Sequence, residues 1–469
     1  MKVRDVDVAI IGAGTAGLAA YREAKALNVS VILIEGHQYG TTCARVGCMP
    51  SKLLIAAAEA AHNFEIAEAF GILPQAKPLI DGYKVMSRVK TERDRFVAFA
   101  LSSVEAIAAE DKVKGMAKFI SDTRIEISLK DGSNLHLNTK RTIIATGSHP
   151  DISDHLKALG NKVIVSDDIF NWNTLPESIA IIGPGVIGLE LGQALSRLGV
   201  KIIILGRGGR VGPVSDPEIR DYIVKQFSLE FPFYPDAKIV DLKSHGSLVS
   251  ITYQPRGAQP IKETFNLVLS AIGRKPNTNG LGLENTTLIL DKNNVPTFDK
   301  YTMQCKSRIG ESSIFIAGDV NNDLPLLHEA ADEGKIAGVN AGNYPKVKPG
   351  LRRAQLGIVF TDPQIAIIGG GKSAAQHIAH VVGHASFEDQ GRSRIMLKNQ
   401  GLLNVYADKK TGEFLGAEMF GPSAEHIGHL LAWALQNKMT INEMLDMPFY
   451  HPVIEEGLRT ALRNARNKL

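Results

Sequence analysis

Apolar residues in this chain cluster in short dense runs, and several of those runs stop at glycine. Residues Asp7 to Ile11 are nearly all apolar with little alternation, the pattern of a parallel strand buried on both faces. Gly12-Ala13-Gly14-Thr15-Ala16-Gly17 follows at once, and a stretch from Leu18 to Leu27 with its alanines and leucine on one side predicts a helix. A second apolar run, Val29 to Ile34, ends in Glu35. Strand, glycine turn, helix and strand with a terminal acid form the whole βαβ fingerprint of a dinucleotide site. Gly12, Gly14 and Gly17 serve the tight turn and backbone approach, the helix start receives the pyrophosphate, and Glu35 takes the ribose hydroxyl.

The unit recurs. Ile179 to Ile182 precedes Gly183-Pro184-Gly185-Val186-Ile187-Gly188, a helical stretch runs through Leu198, and the strand Lys201 to Leu205 follows. Gly183, Gly185 and Gly188 stand where the first loop has its glycines, so two dinucleotides are expected in one chain. Further strand-and-turn signatures are Thr142 to Gly147, Leu267 to Gly273, and Ser313 to Asp319; the last ends in Gly-Asp, an acid placed for ribityl or ribose hydroxyls.

Composition narrows the picture. At 469 residues and 44% hydrophobic content the chain has the length of about three domains with ample apolar material for their cores. Lys and Arg number 53 against 49 Asp and Glu, a net +4 without a dense basic block, so no nucleic-acid partner is expected. The N-terminal stretch carries acids where a secretory signal is basic, and no apolar run of about 18 residues predicts a membrane span. Three cysteines make no disulfide framework. A cytoplasmic protein without membrane partner or metal is the expectation, and the pair Cys43 and Cys48 asks for a chemical explanation.

Taken in order, the two fingerprints, the Thr42-Cys43-Ala44-Arg45-Val46-Gly47-Cys48 stretch and the Gly-Asp strand resemble the FAD-dependent pyridine nucleotide-disulfide oxidoreductases, most closely their dihydrolipoamide dehydrogenase branch. The resemblance covers essentially the whole chain. It implies an α/β fold with two Rossmann-like domains, for FAD and NAD(P), and a C-terminal α+β dimerisation domain. The FAD domain would span 1–150 and return at 271–346, with the NAD(P) domain at 151–270 and the interface domain at 347–469. The chain has Thr41 where the family commonly has a second glycine before Thr-Cys.

In an ideal helix, residues five apart have Cα atoms roughly 8 to 9 Å apart, beyond an unstrained disulfide. Cys43 is therefore expected in an irregular entry turn supplied by Gly40, Thr41 and Thr42, with Pro50 bending the chain beyond Cys48. The resemblance implies Cys48 as the flavin-facing thiol, Cys43 as the interchange thiol that meets substrate, Lys52 beside the flavin and Glu190 as its ion-pair partner. It also implies cofactor contacts from Thr42, Thr146, Gly147, Gly273 and Asp319. His451-Pro452 reads as the opening of a helix with His451 at its cap, and a carboxylate five residues on can hold the imidazole in one tautomer as a base. The family's His-Pro with its glutamate makes Glu456 that partner, and implies a homodimer in which the dyad serves the other subunit's cysteines. Cys305 is expected to pack and nothing more.

The chain carries its own control for the nicotinamide nucleotide. Glu35 lies 23 residues after Gly12, and the same step from Gly183 reaches Gly206, followed by Arg207 and Arg210. An absent acid with arginines beside it suits a 2′-phosphate, so NADPH is expected, with NADH as the alternative. The expected activity is two-electron transfer between that nucleotide and a small dithiol or disulfide. The alternatives are an NADPH-dependent reductase of another small disulfide and, from another class, a structural subunit docked to a lipoyl-bearing multienzyme complex.

Overall fold

The computed structural model describes residues 2–73, 76 and 78–469; Met1, which opens the stretch read above for a targeting signal, lies outside them. The chain divides into two compact units: Met1–Pro50 with Lys90–Asp151 and Arg274–Arg352, and Ser51–Val89 with Ile152–Gly273 and Arg353–Leu469.

The first unit is built on parallel strands. Lys2–Ile11 lies between Val31–Glu35 and Asn134–Ile144, and Glu311–Ile316 extends the sheet beyond Asn134–Ile144. The register sets Ile11 opposite both Ile34 and Ile144, and Ile144 opposite Ile316, so the carboxyl ends of four strands finish level. Val8, Ile10, Leu33, Ile143 and Phe315 from one face of this sheet form a core with Leu18, Ala20 and Ala24 of the Thr15–Ala26 helix. A second helix, Leu327–Asn343, packs directly on that helix. A Cβ on Gly334 would lie 2.3 Å from the Ala16 carbonyl oxygen, and one on Gly338 2.5 Å from that of Ala20, so glycine is what lets the two helix backbones meet.

The second unit repeats the arrangement. Its parallel sheet has the order Phe233–Tyr234, Lys201–Leu205, Ser178–Ile182, Leu267–Ser270, Val163–Ile164, and a three-stranded antiparallel sheet, Ala237–His245, Leu248–Pro255 and Ile261–Phe265, shares its core. The C-terminal residues form a five-stranded antiparallel sheet covered by the helices Ala424–Gln436 and Glu456–Arg466. Its core includes Phe387, Val405, Phe414, Met419, Leu431, Leu458 and Leu462. No described helix is long and apolar enough to cross a membrane.

Candidate active site

The cysteine stretch departs from its expected shape. Cys43 does not lie in an irregular turn: it is the second residue of a short helix, Thr42–Val46. Thr41 caps that helix, its hydroxyl accepting the Ala44 N–H at 3.2 Å, so the residue that departs from the family pattern supplies an N-cap. The break falls at Gly47, where a Cβ would lie 3.1 Å from the Cys43 Cα and from the Thr42 carbonyl oxygen. Cys48 then opens the long helix Cys48–Ile66. Pro50 does not bend it: Pro50 is the third residue, and the first four N–H groups of a helix have no partner within it.

The two cysteines are not joined in a disulfide in this structure; Cys43 is half-buried and Cys48 exposed. The Cys43 thiol is held far above its usual value, first by its hydrogen bond with Cys48 and then by burial. The Cys48 and Met49 amides point at the same sulfur and pull the other way without prevailing. Cys43 therefore keeps its proton and needs a base before it acts as a nucleophile. Cys305 is buried, and burial alone pushes its thiol up.

One turn along the same helix, the Lys52 ammonium meets Glu190 at 2.6 Å and lies 4.5 Å from the centre of the Phe360 ring. Glu190 is buried, and its other oxygen accepts the Phe360 N–H at 2.9 Å. The pairing expected from sequence forms. Phe360 was not legible there, because its contact arises from a loop some 170 residues beyond Glu190.

His451 and Glu456 also meet, with Nδ1 3.0 and 3.1 Å from the two carboxylate oxygens. The His451 hydrogen bond is the main cause that holds the Glu456 carboxyl below its usual value. An ionised carboxylate only accepts, so Nδ1 carries the hydrogen and Nε2 is left as the basic nitrogen. His451 is not at a helix cap. The helix begins at Glu456, whose carboxylate folds back over the preceding loop and also accepts the Val453 N–H at 3.3 Å.

The first glycine loop has the shape a dinucleotide needs. A Cβ on Gly12 would strike the Ala145 carbonyl oxygen at 2.2 Å and one on Gly17 the Gly12 carbonyl oxygen at 1.8 Å, whereas one on Gly14 would meet nothing within 4 Å. Gly14 caps the Thr15–Ala26 helix without a side-chain hydrogen bond, the arrangement that leaves first-turn N–H groups for an anion. Glu35 accepts the Ala13 N–H at 2.9 Å and the His37 N–H at 2.8 Å. Ser148 donates to Asp319 at 2.8 Å and accepts from Arg274, leaving Asp319 one carboxylate oxygen unclaimed by Ser148. Glu333 steadies the turn before it through Gly318 N–H and Asn321. Thr146 and Gly147 are clamped by Asn277, and Thr42 is exposed at the start of its helix. These residues fit an FAD.

The second loop is built alike. Cβ atoms on Gly183 and Gly188 would strike backbone at 2.3 and 2.0 Å, and Gly185 is open but for one atom at 3.8 Å. Gly273 lies at φ +133° in open space. Arg207 and Arg210 are exposed.

This geometry is that of a flavin-dependent disulfide oxidoreductase, and the chain belongs to that class: residues 6–334 match the pyridine nucleotide-disulphide oxidoreductase family and residues 356–462 its dimerisation domain. Within it, the chain is similar to dihydrolipoyl dehydrogenase 3 of Pseudomonas putida, 30% identical over 480 residues and 98% of each chain. It is also similar to dihydrolipoyl dehydrogenase 2 of Haloarcula marismortui, 28% identical over 98% of this chain and 97% of the other. Among solved structures it superposes on LpdA from Mycobacterium tuberculosis with a TM-score of 0.83 and 25% identity, covering 98% and 99% of the two chains. It shares the fold of the flavoprotein disulfide reductase RclA from Escherichia coli, with a TM-score of 0.80, 22% identity and 98% and 99% coverage. The protein is a dihydrolipoyl dehydrogenase-like oxidoreductase that uses FAD and a nicotinamide nucleotide on sulfur groups, with Cys43 and Cys48 as its redox pair.

Proposed function

We propose that the protein exchanges electrons between NADPH and a small disulfide or dithiol, as a homodimer whose His451–Glu456 dyad serves the cysteine pair of the opposite chain. The observation that carries the NADPH reading is Gly206. A Cβ there would lie 2.5 Å from the Pro184 ring and 2.7 Å from the Pro235 carbonyl oxygen, so no acid fits at the place that would repel a 2′-phosphate. The segments 1–150 and 271–346 would hold FAD, 151–270 the nicotinamide nucleotide, and 347–469 the second subunit. An FAD bound in the first unit would supply the two-electron link between nicotinamide and the cysteines. Lys52, neutralised by Glu190, would stand beside it.

The chain's own groups account for the thiol chemistry. In the oxidative direction the pair starts as the Cys43–Cys48 disulfide: a substrate thiol gives its proton to His451 Nε2 and attacks Cys43 Sγ, and Cys48 leaves as thiolate. The second substrate thiol gives its proton to solvent and attacks the first substrate sulfur, displacing Cys43, which takes the first proton back from His451; the substrate leaves as a disulfide, with Cys43 as thiol and Cys48 as thiolate. In support of a second copy, an apolar groove of about 530 Å³ lies beside His451, lined by Leu430, Trp433, Met444, Met447, Phe449 and Tyr450.

One comparison tests the reading: dihydrolipoamide oxidation with NAD⁺ and NADP⁺, set beside NADPH oxidation with lipoamide and with oxidised glutathione. Turnover with the phosphorylated nucleotide is expected, and strong NAD⁺-linked oxidation with none from NADP⁺ would sink it. NADPH-linked reduction of glutathione without lipoamide would favour the reductase of another small disulfide.

A further inference from the structure

The two glycine loops correspond residue for residue, because their strands share one register. Ile11 pairs with Ile34, Ile182 pairs with Leu205, and the N–H of Gly12 and of Gly183 each reaches the paired strand's carbonyl at 2.8 Å. Glu35 is thus equivalent to Gly206, Ala13 to Pro184 and His37 to Gly208. In the first loop Glu35 satisfies two backbone donors, on Ala13 and His37. The second loop has lost that carboxylate, yet both donors are accounted for. Pro184 has no N–H to satisfy. The Gly208 N–H is accepted at 2.9 Å by Asp236, which reaches in just beyond the neighbouring strand.

We propose that Asp236 is the relocated acid, a positioning residue that holds the Arg207–Arg210 turn in the shape that reads the adenosine 2′-phosphate of NADPH. Gly208 and Gly209 lie at φ +76° and +69°, and the Gly209 N–H is held by the Pro235 carbonyl at 3.1 Å. The turn is therefore fastened at both glycines from one neighbouring segment, and the two arginines at its ends are left exposed. Arg256 faces the second Asp236 oxygen at 3.6 Å and offsets its charge near an incoming phosphate. This inference rests on the NADPH reading above.

The test uses the FAD-loaded enzyme. Binding of 2′,5′-ADP and of 5′-AMP is measured by calorimetry, and KM for NADPH and NADH by turnover, in wild type, Asp236→Ala, Asp236→Asn and Arg207→Ala. Asp236→Ala is expected to weaken 2′,5′-ADP and raise the KM for NADPH about tenfold, the worth of one hydrogen bond to a charged group, with kcat and 5′-AMP binding unchanged. Asp236→Asn keeps an acceptor for Gly208 and is expected to restore both. An asparagine deficit equal to that of alanine overturns the positioning role. So does a loss confined to 5′-AMP, which would put the carboxylate on the ribose itself. Failure of the nucleotide assignment is separate: wild type would then bind 5′-AMP no worse than 2′,5′-ADP, and Arg207→Ala would change neither.

Discussion

Two reactive pairs in this molecule share a spacing and differ in everything else. Cys43 and Cys48 are five residues apart, as are His451 and Glu456, and in each pair the second member is the first residue of a long helix. The first member is reached across a break, at Gly47 in one case and around Pro452 in the other. In the cysteine pair a half-buried Cys43 lies beside an exposed Cys48, and there the shared hydrogen bond and then burial keep Cys43 protonated. In the histidine pair 81% of the His451 side chain is exposed while Glu456 is half-buried, and there the contact holds the Glu456 carboxyl below its usual value. One backbone device thus yields a proton donor or a proton acceptor according to what surrounds it.

The comparison breaks most completely if either sulfur is removed. Cys43→Ser or Cys48→Ser is expected to lower lipoamide turnover on the order of 10³-fold or more, while nicotinamide-driven bleaching of the flavin absorbance persists. On the exposed side the loss should be graded: His451→Gln costs about 10²- to 10³-fold in turnover, the scale of a positioned base, and Glu456→Gln, which keeps the ring but loosens it, roughly tenfold. Equal losses in the two would show that Glu456 does more than orient.

A third change sharpens the electrostatic contrast. Because the hydrogen bond with Cys48 is the largest cause of the raised Cys43 value, Cys48→Ala should bring that thiol down toward its ordinary range. More thiolate then exists at pH 8, so iodoacetamide should alkylate Cys43 about tenfold faster than in the reduced wild type. An unchanged rate would assign the shift to burial. The smallest effects concern the break itself, read from thermal denaturation. Gly47→Ala must push backbone aside and should cost about 2 kcal/mol, and Thr41→Ala removes a cap worth about 1 kcal/mol.

What was legible in the sequence was local. Gly12 to Glu35 declares itself because a turn, a helix start and an acid lie within one βαβ unit, and the ion pair of Lys52 with Glu190 followed from family resemblance. The break lies at Gly47, the one residue between the cysteines that signals a helix end, and not before Cys43, where Gly40, Thr41 and Thr42 carry the stronger turn signal. The proline after His451 points to a cap, whereas the residue that organises the loop is the carboxylate five residues later. Asp236 left no local mark, since its partner Gly208 sits 28 residues earlier and only strand pairing brings them together.

The contact of Gly334 and Gly338 with Ala16 and Ala20 has a consequence for synthesis. The helix that opens the first glycine loop emerges from the ribosome with its packing face bare, and its partner helix begins only at Leu327. At 5–20 residues per second, that face waits roughly fifteen seconds to a minute, exposed to whatever else is in reach, before the first unit has the residues to close.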